Sequence, residues 1–134
     1  MIRRLVLSHK HADELRRFAN DTLPQESCAL LLGKIEGDDT IVSRVIFTKN
    51  ADKSTTTFSI EPNELLEAYK EAENSRLDIV GVFHSHPAPA KPSATDAKYM
   101  ETNTVPWLIM STTSNELMAF LYENTIRKLE LVVS

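Results

Sequence analysis

Apolar positions recur along the chain with two different periods, and the switches between them divide the sequence into elements. Residues Ile2 to Val6 read as a short strand. The segment "SHKHADELRRFANDTL" then carries Ala12, Leu15, Phe18 and Ala19 at helical spacing, with Ser8 placed to cap the first turn and Pro24 to end the segment. "SCALLLGKIEGDDTIVSRVIFTKNA" reads as two strands joined by a turn near Gly37, Asp38 and Asp39, the first beginning one residue after Glu26. The polar, β-branched "KSTTTFSI" reads as a loop passing into a short strand. "EPNELLEAYKEAENS" predicts a helix with Pro62 in its first turn and Leu65, Leu66, Tyr69 and Ala72 on one face.

The apolar run "LDIVGVF" has the mark of a strand buried on both faces, and it delivers the chain to His84. A turn from Pro87 to Pro92 cannot be helical inside, and a helix is expected from Ser93 to about Thr102. "TVPWLIMSTT", "ELMAFLYEN" and "TIRKLELVVS" close the chain as three strands with Asn115 and Asn124 at the turns. The expected architecture is α/β, with helices packed on a central mixed sheet.

Composition narrows the class without changing this picture. The 134 residues suit one domain over 1–134, with 42% hydrophobic and 25% charged residues, no internal repeat and no low-complexity segment. The net charge is -4 and the basic residues are scattered, so no nucleic-acid partner is expected. The apolar run in "MIRRLVLSHK" is too short for a signal peptide, and no segment approaches the roughly 20 apolar residues of a membrane span. One cysteine, Cys28, allows no internal disulfide and suits a reducing cytoplasm. A metal in this chain would have to use histidine and carboxylate.

Such a set is on offer in "GVFHSHPAPAKPSATDAKYM". Side chains alternate across a strand, so His84 and His86 point to one face and Ser85 to the other. Two imidazoles at the end of a buried strand are arranged to chelate, although two polar residues at a strand terminus read equally well as nothing more. "HKH" at His9 to His11 has the same spacing inside a predicted helix, where residues two apart diverge, so that pair is expected to be solvated. Asp96 is a third candidate ligand, and Ser93-x-x-Asp96 also fits a helix capping box. Three N/O ligands on zinc leave a fourth position for water, the arrangement of a hydrolytic site, which then needs a carboxylate base. Glu26, directly before an apolar strand, is either that base or a solvated loop residue.

Taken together, Glu26, His84-Ser85-His86-Pro87, Ser93 and Asp96 resemble the signature of the JAMM metallopeptidases, also called the MPN+ or JAB domain. "LPQESCALLLG" is similar to the family's Pro-x-Glu-x-Cys-Gly-Leu-Leu-x-Gly stretch, with Ala29 at the usual Gly. "VGVFHSHP" is similar to its strand ending in His-Ser-His-Pro, with Phe83 where Trp or Tyr is common. The resemblance covers nearly the whole chain. It implies a strongly curved, cytidine-deaminase-like sheet flanked by helices, zinc held by His84, His86 and Asp96, Glu26 as general base, and Ser93 steadying the oxyanion. It also implies cleavage after the C-terminal Gly-Gly of a ubiquitin-like modifier or sulfur-carrier protein, in the compact form found in archaea and bacteria. On this view the Gly-Gly tail would add as a strand beside Thr55 to Phe58. Dimerisation is left open.

Other readings are weaker. A catalytically silent MPN-type scaffold would typically have lost ligands, and every expected one is present. An amidohydrolase barrel needs about 250 residues. A zinc deaminase needs paired cysteines. Cys28 and Trp107 are expected in the core.

Overall fold

The computed structural model describes residues 1–49 and 60–134. Of the stretch expected to pass from loop to strand at "KSTTTFSI", all but Ile60 lies outside the described residues, and so does the proposed tail-binding edge at Thr55 to Phe58. The elements follow in the order β1 (Arg4–Leu7), α1 (His9–Thr22), β2 (Cys28–Glu36), β3 (Asp39–Thr48), α2 (Pro62–Asn74), β4 (Asp78–His86), α3 (Ala94–Thr102), β5 (Trp107–Ser111), β6 (Leu117–Glu123) and β7 (Thr125–Val133).

The strands join in the order β1-β3-β2-β4-β5-β6-β7, and β7 returns to pair with β1, so the curved sheet closes into a barrel. Pairing is mixed. β1 runs parallel to both β3 and β7, and β4 runs parallel to β5, while the remaining neighbours are antiparallel hairpins or returns. The turns form where sequence chemistry permits them. Gly37, Asn115 and Asn124 all take positive φ, at 62° each, a conformation that glycine and asparagine adopt at least cost. At Gly33, beside a register shift in β2, an added Cβ would stand 1.8 Å from the Ile41 carbonyl oxygen, so only glycine fits.

One face of the sheet holds the main core, where Leu5, Leu7, Leu31, Phe83, Leu108 and Met110 meet Ala12, Leu15 and Ala19 of α1. Ser8 caps α1 as expected, accepting the His11 amide at 3.0 Å. On the other face Leu30, Leu32, Ile79 and Val82 pack with α2, and Trp107, Ile109 and Phe120 pack with Met100 of α3.

Two local expectations shift. The first strand begins at Arg4, because the Arg3 and Arg4 amides both donate to the Asp38 carbonyl and pairing with β3 starts at Arg4 opposite Asp39. In α2 the buried face runs through Leu65, Ala68 and Ala72, whereas Leu66 and Tyr69 are exposed. Small alanines at 68 and 72 let the helix approach the sheet, and positions 66 and 69 then rotate outward by one helical step each. No helix among the described residues is long and apolar enough to cross a membrane.

Candidate metal site and active site

Strand register builds the site. In the antiparallel β2–β4 pair Cys28 lies opposite His84. Continuing that register by two residues sets Glu26 opposite His86, and residues directly opposite each other share a face. Glu26, His84 and His86 therefore gather on one face without help from any loop. On the far side of β4, β5 runs parallel with His86 beside Ser111, and the His86 carbonyl accepts the Thr112 amide at 3.0 Å. The ligand strand is thus held from both edges.

After His86 the proline-rich turn brings α3 back over the strand end. Ser93 caps that helix by accepting the Asp96 amide at 3.0 Å, and Asp96 Oδ2 accepts the Ser93 amide at 2.9 Å. The capping box is formed, and the same carboxylate also faces both imidazoles, so the two readings of Asp96 in the sequence are compatible. Asp96 Oδ1 stands 3.3 Å from His84 Nε2, and Oδ2 stands 3.7 Å from His86 Nε2. Glu26 Oε1 lies 3.2 Å from the same His84 nitrogen. Glu26, His84, His86 and Asp96 are all buried, whereas Ser93 is exposed. The two imidazoles meet edge to face, with ring centres 5.1 Å apart.

Burial governs the electrostatics. It pushes the Glu26 carboxyl up to about 7, with the nearby Asp96 carboxylate adding to the rise. It pushes His84 down to about 4, against an opposing pull from Asp96, with His86 adding to the fall and a backbone hydrogen bond to Ser27 resisting it. At neutral pH His84 is therefore an uncharged imidazole with a lone pair to give, and Glu26 is poised between its acid and base forms.

The donor set fits a metal ion. One ligand atom each from His84, His86 and Asp96 lies within 4.8 Å of the others. Their separations of 3.3 and 3.7 Å compare with the edge of about 3.3 Å of a tetrahedron with bonds of about 2.0 Å. Asp96, 2% exposed, meets no lysine or arginine among the described residues, so a cation here would compensate an otherwise costly buried charge. His86 Nε2 faces the Lys91 carbonyl at 3.2 Å, a contact that metal loading would exchange.

The other expectations are settled by position. His9 is exposed and His11 half-buried on α1, and neither joins a metal-binding group among the described residues. Cys28 is buried, with Sγ 3.0 Å from Thr48 Oγ1, and Trp107 is buried beneath α3. The sequence reading missed a buried hydroxyl pair, Ser27 and Ser85, whose Oγ atoms are 2.5 Å apart. No local pattern announces it, because it depends on the β2–β4 register, which sets Ser27 opposite Ser85 as it sets Glu26 opposite His86.

Known proteins resemble this chain over most of its length. The family model described as prokaryotic homologs of the JAB domain matches residues 8–123. The chain is 37% identical over 110 residues to a desampylase from Pyrococcus furiosus, covering 81% of this chain and 76% of that protein. It is 34% identical over 102 residues to a probable TtuB-protein conjugate cleaving protease from Thermus thermophilus, covering 75% of this chain and 65% of the relative. A solution structure of a protein from Desulfitobacterium hafniense superposes with a TM-score of 0.89 at 32% identity, over 97% of this chain and 92% of the other.

Proposed function

The chain belongs to the prokaryotic JAB-domain family, and from that premise we propose that it is a zinc-dependent peptidase or isopeptidase. It would cut after the C-terminal Gly-Gly of a ubiquitin-like modifier or sulfur-carrier protein. The observation that carries this reading is the buried meeting of Glu26 with His84 at 3.2 Å, beside Asp96 at 3.3 Å from the same nitrogen. A carboxyl group placed there, with its proton affinity raised to about 7, has little structural purpose and a clear chemical one. The names of the relatives, a desampylase and a protease that cleaves a TtuB-protein conjugate, support the substrate class.

Held by His84, His86 and Asp96, zinc would supply Lewis acidity to the scissile carbonyl and the attacking water. The protein's own groups do the rest. Glu26 accepts a proton from the water near neutral pH and passes it to the departing amine, a transfer suited to a group titrating near the working pH. Ser93 uses its oxygen to cap α3, which leaves its O–H proton free, on an exposed side chain, to meet the developing oxyanion. Asp96 serves the helix and the metal with one carboxylate, so the first turn of α3 and the ligand set are built as one unit.

The test uses ubiquitin-like and sulfur-carrier proteins ending in Gly-Gly, fused to a reporter through a peptide bond or joined to a lysine through an isopeptide bond. Zinc-loaded protein is expected to release the reporter from at least one of them, and Glu26→Gln to release it far more slowly while keeping its zinc. Zinc-loaded wild type that cleaves neither type of bond would instead make the chain an interaction module.

A further inference from the structure

The β2–β4 ladder ends in an unusual way beside the site. Its last regular pair is Cys28 with His84. One residue further, the Ser85 amide donates to the Ser27 carbonyl at 3.1 Å, as an antiparallel ladder requires. The return bond is different: the Ser27 amide donates to the Ser85 side-chain oxygen, also at 3.1 Å. The two hydroxyls then bond to each other at 2.5 Å. Both residues are essentially without solvent contact, at 1% and 0% exposure. A serine side chain has taken the acceptor's place at the point where the chain leaves the sheet towards Glu26.

Position makes this junction consequential. Ser27 directly follows Glu26, and Ser85 stands between His84 and His86. Side chains at 27 and 85 point to the opposite face from the site, so they cannot touch substrate or metal. Their main chain, however, is continuous with Glu26 on one side and with His84 and His86 on the other, at the end of the β2–β4 ladder.

We infer that Ser27 and Ser85 form a positioning clamp that fixes the main chain of Glu26 against the ligand strand and so sets the distance from the carboxylate to the reacting atoms. The inference rests on the proposed function for its catalytic consequence, but not for the clamp itself. An alanine at 85 removes the acceptor of a buried amide as well as the hydroxyl contact, while an alanine at 27 removes only the latter. The two losses share one bond, so they should not add.

The experiment follows Ser27→Ala, Ser85→Ala and the double variant by three readouts: hydrogen exchange at the Ser27 amide, zinc affinity, and kcat and KM on a cleaved fusion. The clamp predicts that Ser27 amide exchange accelerates by about 100-fold in Ser85→Ala and by less in Ser27→Ala, while the Leu31 and Phe83 amides in mid-strand are unchanged. It predicts kcat about 10- to 100-fold lower in Ser85→Ala at unchanged KM, a smaller loss in Ser27→Ala, and no further loss in the double variant. Zinc affinity should change much less than kcat, because the ligands are held by β5 and α3 as well. If wild type cleaves no fusion, the proposed function fails and amide exchange alone decides the clamp. Unaltered Ser27 exchange in Ser85→Ala would overturn it. So would a kcat that falls only in proportion to the loss of folded protein. If Ser85→Ala does not fold, the smaller effects in Ser27→Ala decide the matter, and their absence overturns the clamp.

Discussion

The chain contains the same tripeptide pattern twice, and the two copies behave differently. His9-Lys10-His11 opens α1, and His84-Ser85-His86 ends β4. On the helix, residues two apart project to nearly opposite sides, which leaves His9 exposed and His11 half-buried with no shared ligand. On the strand the pleat brings both rings to one face, where they meet Asp96 within 4.8 Å. A spacing is therefore informative only together with the period of the element that carries it. The strand copy also has what the helix copy lacks: a neighbouring strand that delivers Glu26 by register and a following helix that delivers Asp96 through its cap.

That contrast orders the expected effects. The largest belongs to Glu26, for which we propose a part in the chemistry and none in holding the metal. Glu26→Gln should lower turnover about 10²- to 10⁴-fold while zinc remains bound, as read by steady-state kinetics beside elemental analysis. Ser93→Ala comes next, with kcat lower by about 10- to 100-fold and a loss of about 1 kcal/mol in denaturant unfolding, because the hydroxyl that caps α3 is also the proposed oxyanion donor. A Ser93 variant that loses stability but no turnover would restrict that residue to capping.

The pH dependence of the metal-free protein is a smaller and independent effect. Glu26 is raised from 4.5 to about 7 in the folded state, so between those values the native protein holds a proton the unfolded chain has released, and stability falls as pH rises. His84 is lowered from 6.5 to about 4, so below 6.5 the unfolded chain takes the extra proton and stability falls as pH drops. The two slopes oppose each other between 4.5 and 6.5. Removing the first with Glu26→Gln should raise the Tm of metal-free protein at pH 8 by about 3 °C or more and change it little at pH 5. Equal shifts at both pH values would mean that Glu26 is not protonated in the fold. The smallest effects are expected on α1, where His9→Ala should stay within about 0.5 kcal/mol of wild type by denaturant unfolding.

Much of this was legible in the sequence because it is local. The period of "LDIVGVF", the prolines after His86 and the Ser93-x-x-Asp96 spacing together place three donors, and they do so with no long-range information. Asn115 and Asn124 mark their turns for the same reason, since both adopt positive φ. Non-local pairing was less accessible. The closure of β1 against β7 joins residues from the two ends of the chain, and no periodicity reports it. On α2 the expected face of Leu65, Leu66, Tyr69 and Ala72 holds at Leu65 and Ala72 only, because the small Ala68 and Ala72 set the line of closest approach to the sheet and leave Leu66 and Tyr69 outside it. The choice between cap and candidate ligand at Asp96 also could not be resolved by spacing, for the physical reason that one carboxylate can cap α3 and still face both imidazoles.

The central claim is that element period, and not the His-x-His pattern itself, makes a metal site. Its most direct test is a zinc titration of metal-free wild type, His84→Ala, Asp96→Ala and the double variant His9→Ala/His11→Ala, each read as zinc bound per folded chain. The account predicts one zinc per chain in wild type and in the α1 double variant, and its loss in both His84→Ala and Asp96→Ala. Zinc retained in His84→Ala and Asp96→Ala, or lost from the α1 double variant while the protein remains folded, would contradict it.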